Sequence, residues 1–231
     1  MKMGKRIASK HPIPQFHKRH LLWCSHIKID KYRRRLADFS FFRREKGGFA
    51  VKAWQHFKTI TKHRWLVRAG CFRVGLYRQG LTHDLSKYSP TEFLIGAKYY
   101  QGTRSPNAAE REDKGYSEAW MHHKGRNRHH YEYWTDMNRE TRTYEPIPMP
   151  RKYLVEMVMD RRAACMTYQG KAYRDDSPLK YLEKSREKSL MHPKTRQELH
   201  YILTLLAQQG EEATFRYLKE SVLAGKPFPW E

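Results

Sequence analysis

The sequence predicts an all-α protein: a helical bundle of residues 51–220 that follows a basic N-terminal extension of residues 1–50 and precedes a short C-terminal tail of residues 221–231. Three observations carry that expectation. From Val51 onward apolar residues recur every three to four positions, the spacing of one face of a helix. Helix punctuation brackets those stretches: Ser89-Pro90 with Glu92 in the first turn, Pro193 as a start and Gly170 as a stop. No segment shows the period-two alternation of a strand.

Residues 1–50 hold 14 Lys or Arg against three acids, interrupted by Pro12, Pro14 and Gly47-Gly48. Too cationic to fold alone, this stretch reads as an arm, either solvated or laid on phosphates or a partner. Within it, CSHIKIDKYRRRLADFSFF can dock aromatics on the main body. Phe57, Ile60, Trp65, Val67 and Phe72, then Leu76, mark the first long helix, which Gly80 can break. A helix boundary falls within residues 84–87, and a new helix starts at Ser89-Pro90. QGTRSPNAAEREDKG, residues 101–115, is turn-rich and polar and reads as a surface loop. YSEAWMHHKGRNRHHYEYW resumes as two helical pieces bent at Gly125 and Asn127. EPIPMP is an extended linker, because its prolines fix φ and remove amide donors. RKYLVEMVMDRRAACMTYQG is a strong helix. The last long helix starts after Pro193, carries Leu199, Ile202, Leu203, Leu206 and Phe215, and has a break at Gly210.

Lys and Arg number 46 against 24 Asp and Glu, a net charge of +22. Such a field draws polyanions: nucleic acid, nucleotides, phosphorylated metabolites or an acidic membrane face. No run of 18 apolar residues is present to span a bilayer, and the basic N-terminus lacks the apolar core of a signal peptide. Cys24, Cys71 and Cys165 lie far apart without a CxxC pair, as reduced packing thiols do. These features predict a soluble cytoplasmic protein.

Thirteen histidines are grouped in an informative way. His56 and His63 are seven apart, on one helix face. His83 stands beside Asp84, with Lys87 close behind. The doublets His122-His123 and His129-His130 are again offset by seven. Asp160 sits among Val158, Met159, Ala163 and Ala164, where a bare carboxylate is costly and needs a cation or several donors. Arg161, Arg162 or a metal could supply that need. On a helix, His83 and Asp84 would point about 100° apart, so they share an ion only if other elements complete its shell. Imidazoles with carboxylates suit a divalent Mn, Fe, Zn, Co or Mg. His56 precedes His83 by 27 residues and His63 by 20. The longer interval fits two antiparallel helices better, with His63 as the alternative. In each doublet one member faces inward, and the register is open.

The order His56, His83-Asp84, Asp160 resembles the HD-domain superfamily of metal-dependent phosphohydrolases, whose HD-x-x-K segment is matched by HDLSK. Over residues 51–220, LTHDLSKYSPTEF, AWMHHKGRNRHHYEYW and MPRKYLVEMVMDRRAA together resemble a family of uncharacterised bacterial and phage proteins, some of them called catalase. No Glu-x-x-His of the kind a dimanganese catalase uses occurs here.

The HD resemblance implies an HD-like bundle in which His56, His83, Asp84 and Asp160 hold one or two divalent ions, lowering the pKa of a bound water so that hydroxide attacks phosphorus. It also implies that Lys87 and Arg126 offset phosphoryl charge and that His122 or His123 and His129 or His130 bind a second ion or protonate the leaving oxygen, while Asn127 either orients substrate or ends a helix. Asp84, Lys87, His123 and His130 then carry catalysis, and the substrate is a nucleotide or another small phosphorylated molecule. The alternative is a helical protein that binds nucleic acid through its arm, or a partner, with structural histidines or a structural metal. Nucleic-acid binding of that kind survives chelation and weakens with salt.

Overall fold

In the computed structural model, which describes residues 46–184 and 190–231, the first long periodic segment forms helix α1, Lys46–Arg73. Its inward stripe is His56, Ile60, His63, Val67 and Cys71, continued by Val74 just past the helix, all buried. Phe57 and Trp65, which the periodicity assigns to the core, are exposed instead. The stripe is turned because two imidazoles occupy core-facing positions that an apolar count overlooks. The helix ends before Gly75, whose φ of 86° suits glycine. Gly80 breaks nothing: it lies inside α2, Tyr77–Thr82, where its missing side chain admits Phe72 and Cys71.

Helix α3, Pro90–Lys98, begins as its sequence requires: Ser89 Oγ accepts the Glu92 amide at 3.4 Å, and Pro90 takes the first position. The segment read as loop contains α4, Pro106–Lys114. Pro106 at the first turn and the run Ala108-Ala109-Glu110-Arg111-Glu112 outweigh the polar composition, and Gly115 at φ 81° stops the helix. Glu110 of α4 is fully buried and caps the next helix, α5, Glu118–Lys124. It accepts Ser117 Oγ at 2.6 Å and the amides of Glu118 and Ala119 at 3.2 and 3.4 Å. Turns and a 3₁₀ segment, Tyr131–Tyr133, follow in place of a second helical piece. A small antiparallel hairpin, β1 (Thr135–Met137) and β2 (Tyr144–Pro146), corrects the expectation of no strands; three residues a side are too few to show alternation.

Helix α6, Arg151–Gln169, ends at Gly170 with φ 55°, and α7 is Ser177–Lys184. The last helix, α8, Pro193–Tyr217, kinks at Gly210 (φ 76°, ψ −177°) as its sequence suggests. Leu154, Val158 and Met159 of α6 meet Val67 and Cys71 of α1 and Leu199, Leu203 and Leu206 of α8 in one core. The stretch read as a tail packs onto it: Val222 and Phe228 are buried, Phe228 against Tyr201 and Tyr217. Gly48–Glu231 is one compact unit, mostly helical, with eight α-helices among the described residues. The extension over residues 1–50, including Cys24, lies almost wholly outside the described residues.

Where α3 approaches α1, Gly96 faces His56. A Cβ there would lie 2.3 Å from His56 Nε2, so Gly96→Ala must displace the ring. The expected cost is about 1–3 kcal/mol, read as a lower urea midpoint with an unchanged slope.

Candidate metal centre

Helix α1 carries His63 inward, and the chain after α2 delivers His83 and Asp84 to the same point. The geometry of that turn lets two neighbours face one way. The helix stops at Thr82, His83 is extended (φ −49°, ψ 127°), and Asp84 is left-handed (φ 53°, ψ 25°) before a 3₁₀ turn, Leu85–Tyr88. A left-handed non-glycine residue costs roughly 1 kcal/mol or more, a strain that marks functional turns. Helix α5 adds His123, the turn after it adds His129 and His130, and α6 adds Asp160.

Asp84 is the hub, fully buried. Its Oδ2 lies 3.6 Å from His63 Nε2 and 3.4 Å from His83 Nε2, while Asp160 Oδ1 lies 2.9 and 3.4 Å from the same two nitrogens. Its Oδ1 faces the other way, 3.3 Å from His123 Nε2 and 3.4 Å from His129 Nε2. Two sets share Asp84, each with donor atoms within 4.8 Å of one another: His63, His83, Asp84 and Asp160, and Asp84, His123, His129 and His130; a third group, His83, His129 and Glu156, meets the same limit.

These contacts are close without being hydrogen bonds. Nε2 of His63, His83, His129 and His130 and both oxygens of Asp84 are buried with no hydrogen-bond partner. Lys87 Nζ lies 2.6 Å from Asp84 Oδ2, an ion pair that balances part of the carboxylate's charge. Each orphaned group costs about 1–3 kcal/mol. A divalent cation would satisfy them, and the mix of imidazole and carboxylate fits one.

The far nitrogens are fixed. Glu156 Oε1 lies 2.9 Å from His83 Nδ1 and 3.2 Å from His129 Nδ1, and Glu92 Oε2 lies 2.8 Å from His123 Nδ1. An Nδ1–H donated to a carboxylate leaves the Nε2 lone pair for an ion and raises its basicity. Glu156 was missed in the sequence, although it stands one turn before Asp160 in the same apolar helix and meets the same burial argument. In the sequence Glu92 stands out only as a first-turn acid.

The other sequence-derived residues fall elsewhere. His56 joins neither set: it is buried against Phe93 and Tyr100, ring centroids 5.4 and 5.8 Å away, two helical turns from the His63 it was preferred to. His122 turns aside to Glu92 Oε1 at 2.6 Å. Arg126 is exposed, bonded to the His122 carbonyl at 3.3 Å, and Asn127 Nδ2 donates to Ser86 Oγ and the His123 carbonyl, both at 2.8 Å. Both brace the turn and neither lines the cavity. Arg162 pairs with Glu211 rather than Asp160.

A cavity of about 610 Å³ opens onto the centre. His63, Lys87, His123, His130 and Asp160 line it, with Tyr100, Trp120 and Tyr168 as aromatic wall and Arg104, Arg111 and Arg161 as basic wall. Burial opposes charge on Asp84, but His83, Lys87 and His123 outweigh it and hold the carboxyl well below its usual range. His83 moves the opposite way: burial resists its protonation, yet Asp84, with Asp160 and Glu156, raises its pKa well above the ordinary value. Burial, with His129 and His123 nearby, keeps His130 neutral, and burial pushes His56 down to about 4.

A raised pKa means His83 holds a proton at neutral pH, so an ion taking its Nε2 must displace one. Binding at pH 7 should therefore release protons, and affinity should rise with pH until the raised pKa is passed. Titration calorimetry in buffers of different ionisation enthalpy measures the release; a value of zero contradicts the assignment of His83 as a ligand.

Fold and site together define a mostly helical protein with a buried His/Asp centre that could hold a metal ion. The chain belongs to DUF5662, a family of unknown function, whose model matches residues 52–205 and so includes every residue of both donor sets. No curated protein and no solved structure matches it. No helix among the described residues is long and apolar enough to cross a membrane.

Proposed function

We propose that this protein is a metal-dependent phosphohydrolase with an HD-like centre, acting on a nucleotide or another small phosphorylated substrate. The observation that carries the reading is Asp84, whose two oxygens face two separate sets of imidazoles at the edge of a cavity whose wall includes Lys87, Arg111 and Arg161. His63, His83, Asp84 and Asp160 would hold one divalent ion, and Asp84, His123, His129 and His130 a second. Such ions supply Lewis-acid polarisation of a phosphoryl oxygen and a water made acidic near neutral pH. The rest is the chain's own work. Lys87 stays cationic, because Asp84 and Asp160 outweigh its burial, and its ammonium can offset charge on phosphoryl oxygens. His130, neutral and lining the cavity, suits a ligand or proton acceptor and not a proton donor. The arginines of the wall raise the local concentration of anionic substrate.

The test is direct. Metal content is measured on the purified protein, and phosphomonoesters, phosphodiesters and nucleotides are screened with and without chelator. Bound metal with turnover that chelation removes and a divalent ion restores supports the reading. Metal retained without turnover favours a structural ion in a binding protein, and no metal at neutral pH ends the proposal.

A further inference from the structure

The side of α1 turned away from the metal centre has a composition that helix packing does not explain. Between residues 46 and 83 the chain carries eight Lys or Arg and no Asp or Glu. Along the outward stripe, aromatic rings alternate with those cations. Trp54 and Trp65 are 59% and 61% exposed, and Tyr77 beyond the helix is 61% exposed. Trp54 and Phe57 stack at 5.6 Å with an interplanar angle of 12°, and Lys58 Nζ stands 5.8 Å from the Trp54 ring. Arg64 lies over Tyr88 at 5.2 Å, and Arg68 lies between Trp65 and Phe72 at 4.9 and 5.0 Å. From Trp54 to Phe72 the helix rises about 27 Å.

We propose that this face of α1 binds single-stranded nucleic acid, with unpaired bases stacking on Trp54 and Trp65 and the phosphates running along Lys58 and Arg68. Exposed aromatic faces beside cations, repeated along a track, are what a sugar–phosphate strand with splayed bases requires. Two other occupants fit less well. A helix lying on a membrane separates its apolar and cationic faces, whereas here the cations sit on the rings themselves. A second copy of the chain would set one acid-free cationic stripe against another, at a cost in repulsion. The inference does not depend on the metal reading, because His63 is buried on the opposite side of the same helix.

The experiment uses the full-length protein and a fluorescein-labelled 20-nucleotide oligothymidine, followed by anisotropy across a salt series, with EDTA present throughout. Expected are saturable binding, a linear fall of log K with log salt, and weaker binding of a duplex of equal length. Trp54→Ala/Trp65→Ala removes both rings, leaves every charge and the basic extension untouched, and should weaken single-strand binding by roughly tenfold or more. Both positions are exposed, so circular dichroism should be unchanged. Wild-type affinity in that variant overturns the proposal, since binding then rests on charge elsewhere in the chain. Equal affinity for duplex and single strand overturns it as well. So does the absence of oligonucleotide binding in a protein that sediments with phosphatidylserine vesicles, which assigns the face to lipid, or that self-associates through it.

Discussion

If the protein is the proposed phosphohydrolase, Asp84→Asn should empty both halves of the centre and lower hydrolysis by roughly a thousandfold or more, because the acidic water and the Lewis acid would be lost together. The replacement has the same shape, so the loss reads charge rather than packing. In the wild-type protein each carboxylate oxygen serves a different set: Oδ2 lies near His63 and His83, and Oδ1 near His123 and His129. An amide offers one oxygen, without the charge that would hold two cations close together. A second effect runs in parallel. Lys87 and His83 lose the carboxylate that balances them, and removing one partner of a buried pair costs about 3–5 kcal/mol. Lys87 retains 29% side-chain exposure and can swing toward the cavity, which puts the cost at the lower end of that range. The two effects separate in the double variant Asp84→Asn/Lys87→Met, which should recover much of the stability without recovering metal. Metal content by elemental analysis, with a urea melt on the same samples, reads both. Two ions bound to Asp84→Asn with native affinity would remove Asp84 from its place between them.

The sequence made the elements legible wherever local rules act alone. Ser89-Pro90-Glu92, Gly170, Pro193 and the Gly210 kink all set backbone geometry within a few residues, and each appears as read. Where tertiary packing decides, local pattern is a poor guide. Apolar spacing points to the wrong face of α1, because His56 and His63 fill core positions and leave Phe57 and Trp65 outside. The convergence of His83, Asp84 and Asp160 was visible in residue type and in the burial argument for Asp160. The choice between His56 and His63 was not, since they share a face and differ only in which of them lies level with the His83 turn. The left-handed backbone at Asp84 was equally hidden: it lets consecutive residues point to one place, which no helical or extended pattern suggests. Hydrogen-bond partners of the ligands were the least legible. Glu92 and Glu156 look like ordinary helix acids until two histidines from other segments are seen against each.

Glu156 should matter nearly as much as Asp84. It does not reach into either set of ligand atoms at their centre, but its Oε1 meets the Nδ1 of His83 from one set and of His129 from the other. Loss of such a partner typically costs 10–100-fold in metal affinity. Glu156→Gln keeps an acceptor but removes the charge, and should weaken both ions by about tenfold. Glu156→Leu removes the acceptor as well, frees the tautomer of both rings, and should approach about a hundredfold. Glu92→Gln supplies the contrast, because among the ligands of the two sets Glu92 meets only His123. It should weaken the ion held by His123, His129 and His130 and leave the ion at His63 and Asp160 nearly unchanged. Cobalt titrations that resolve two binding steps distinguish these patterns without reference to turnover. A merely structural role for Glu156 would lower the melting temperature of the metal-free protein and leave both cobalt affinities in place. A fall at one site alone would mean that the shared carboxylate contact does not couple the two halves.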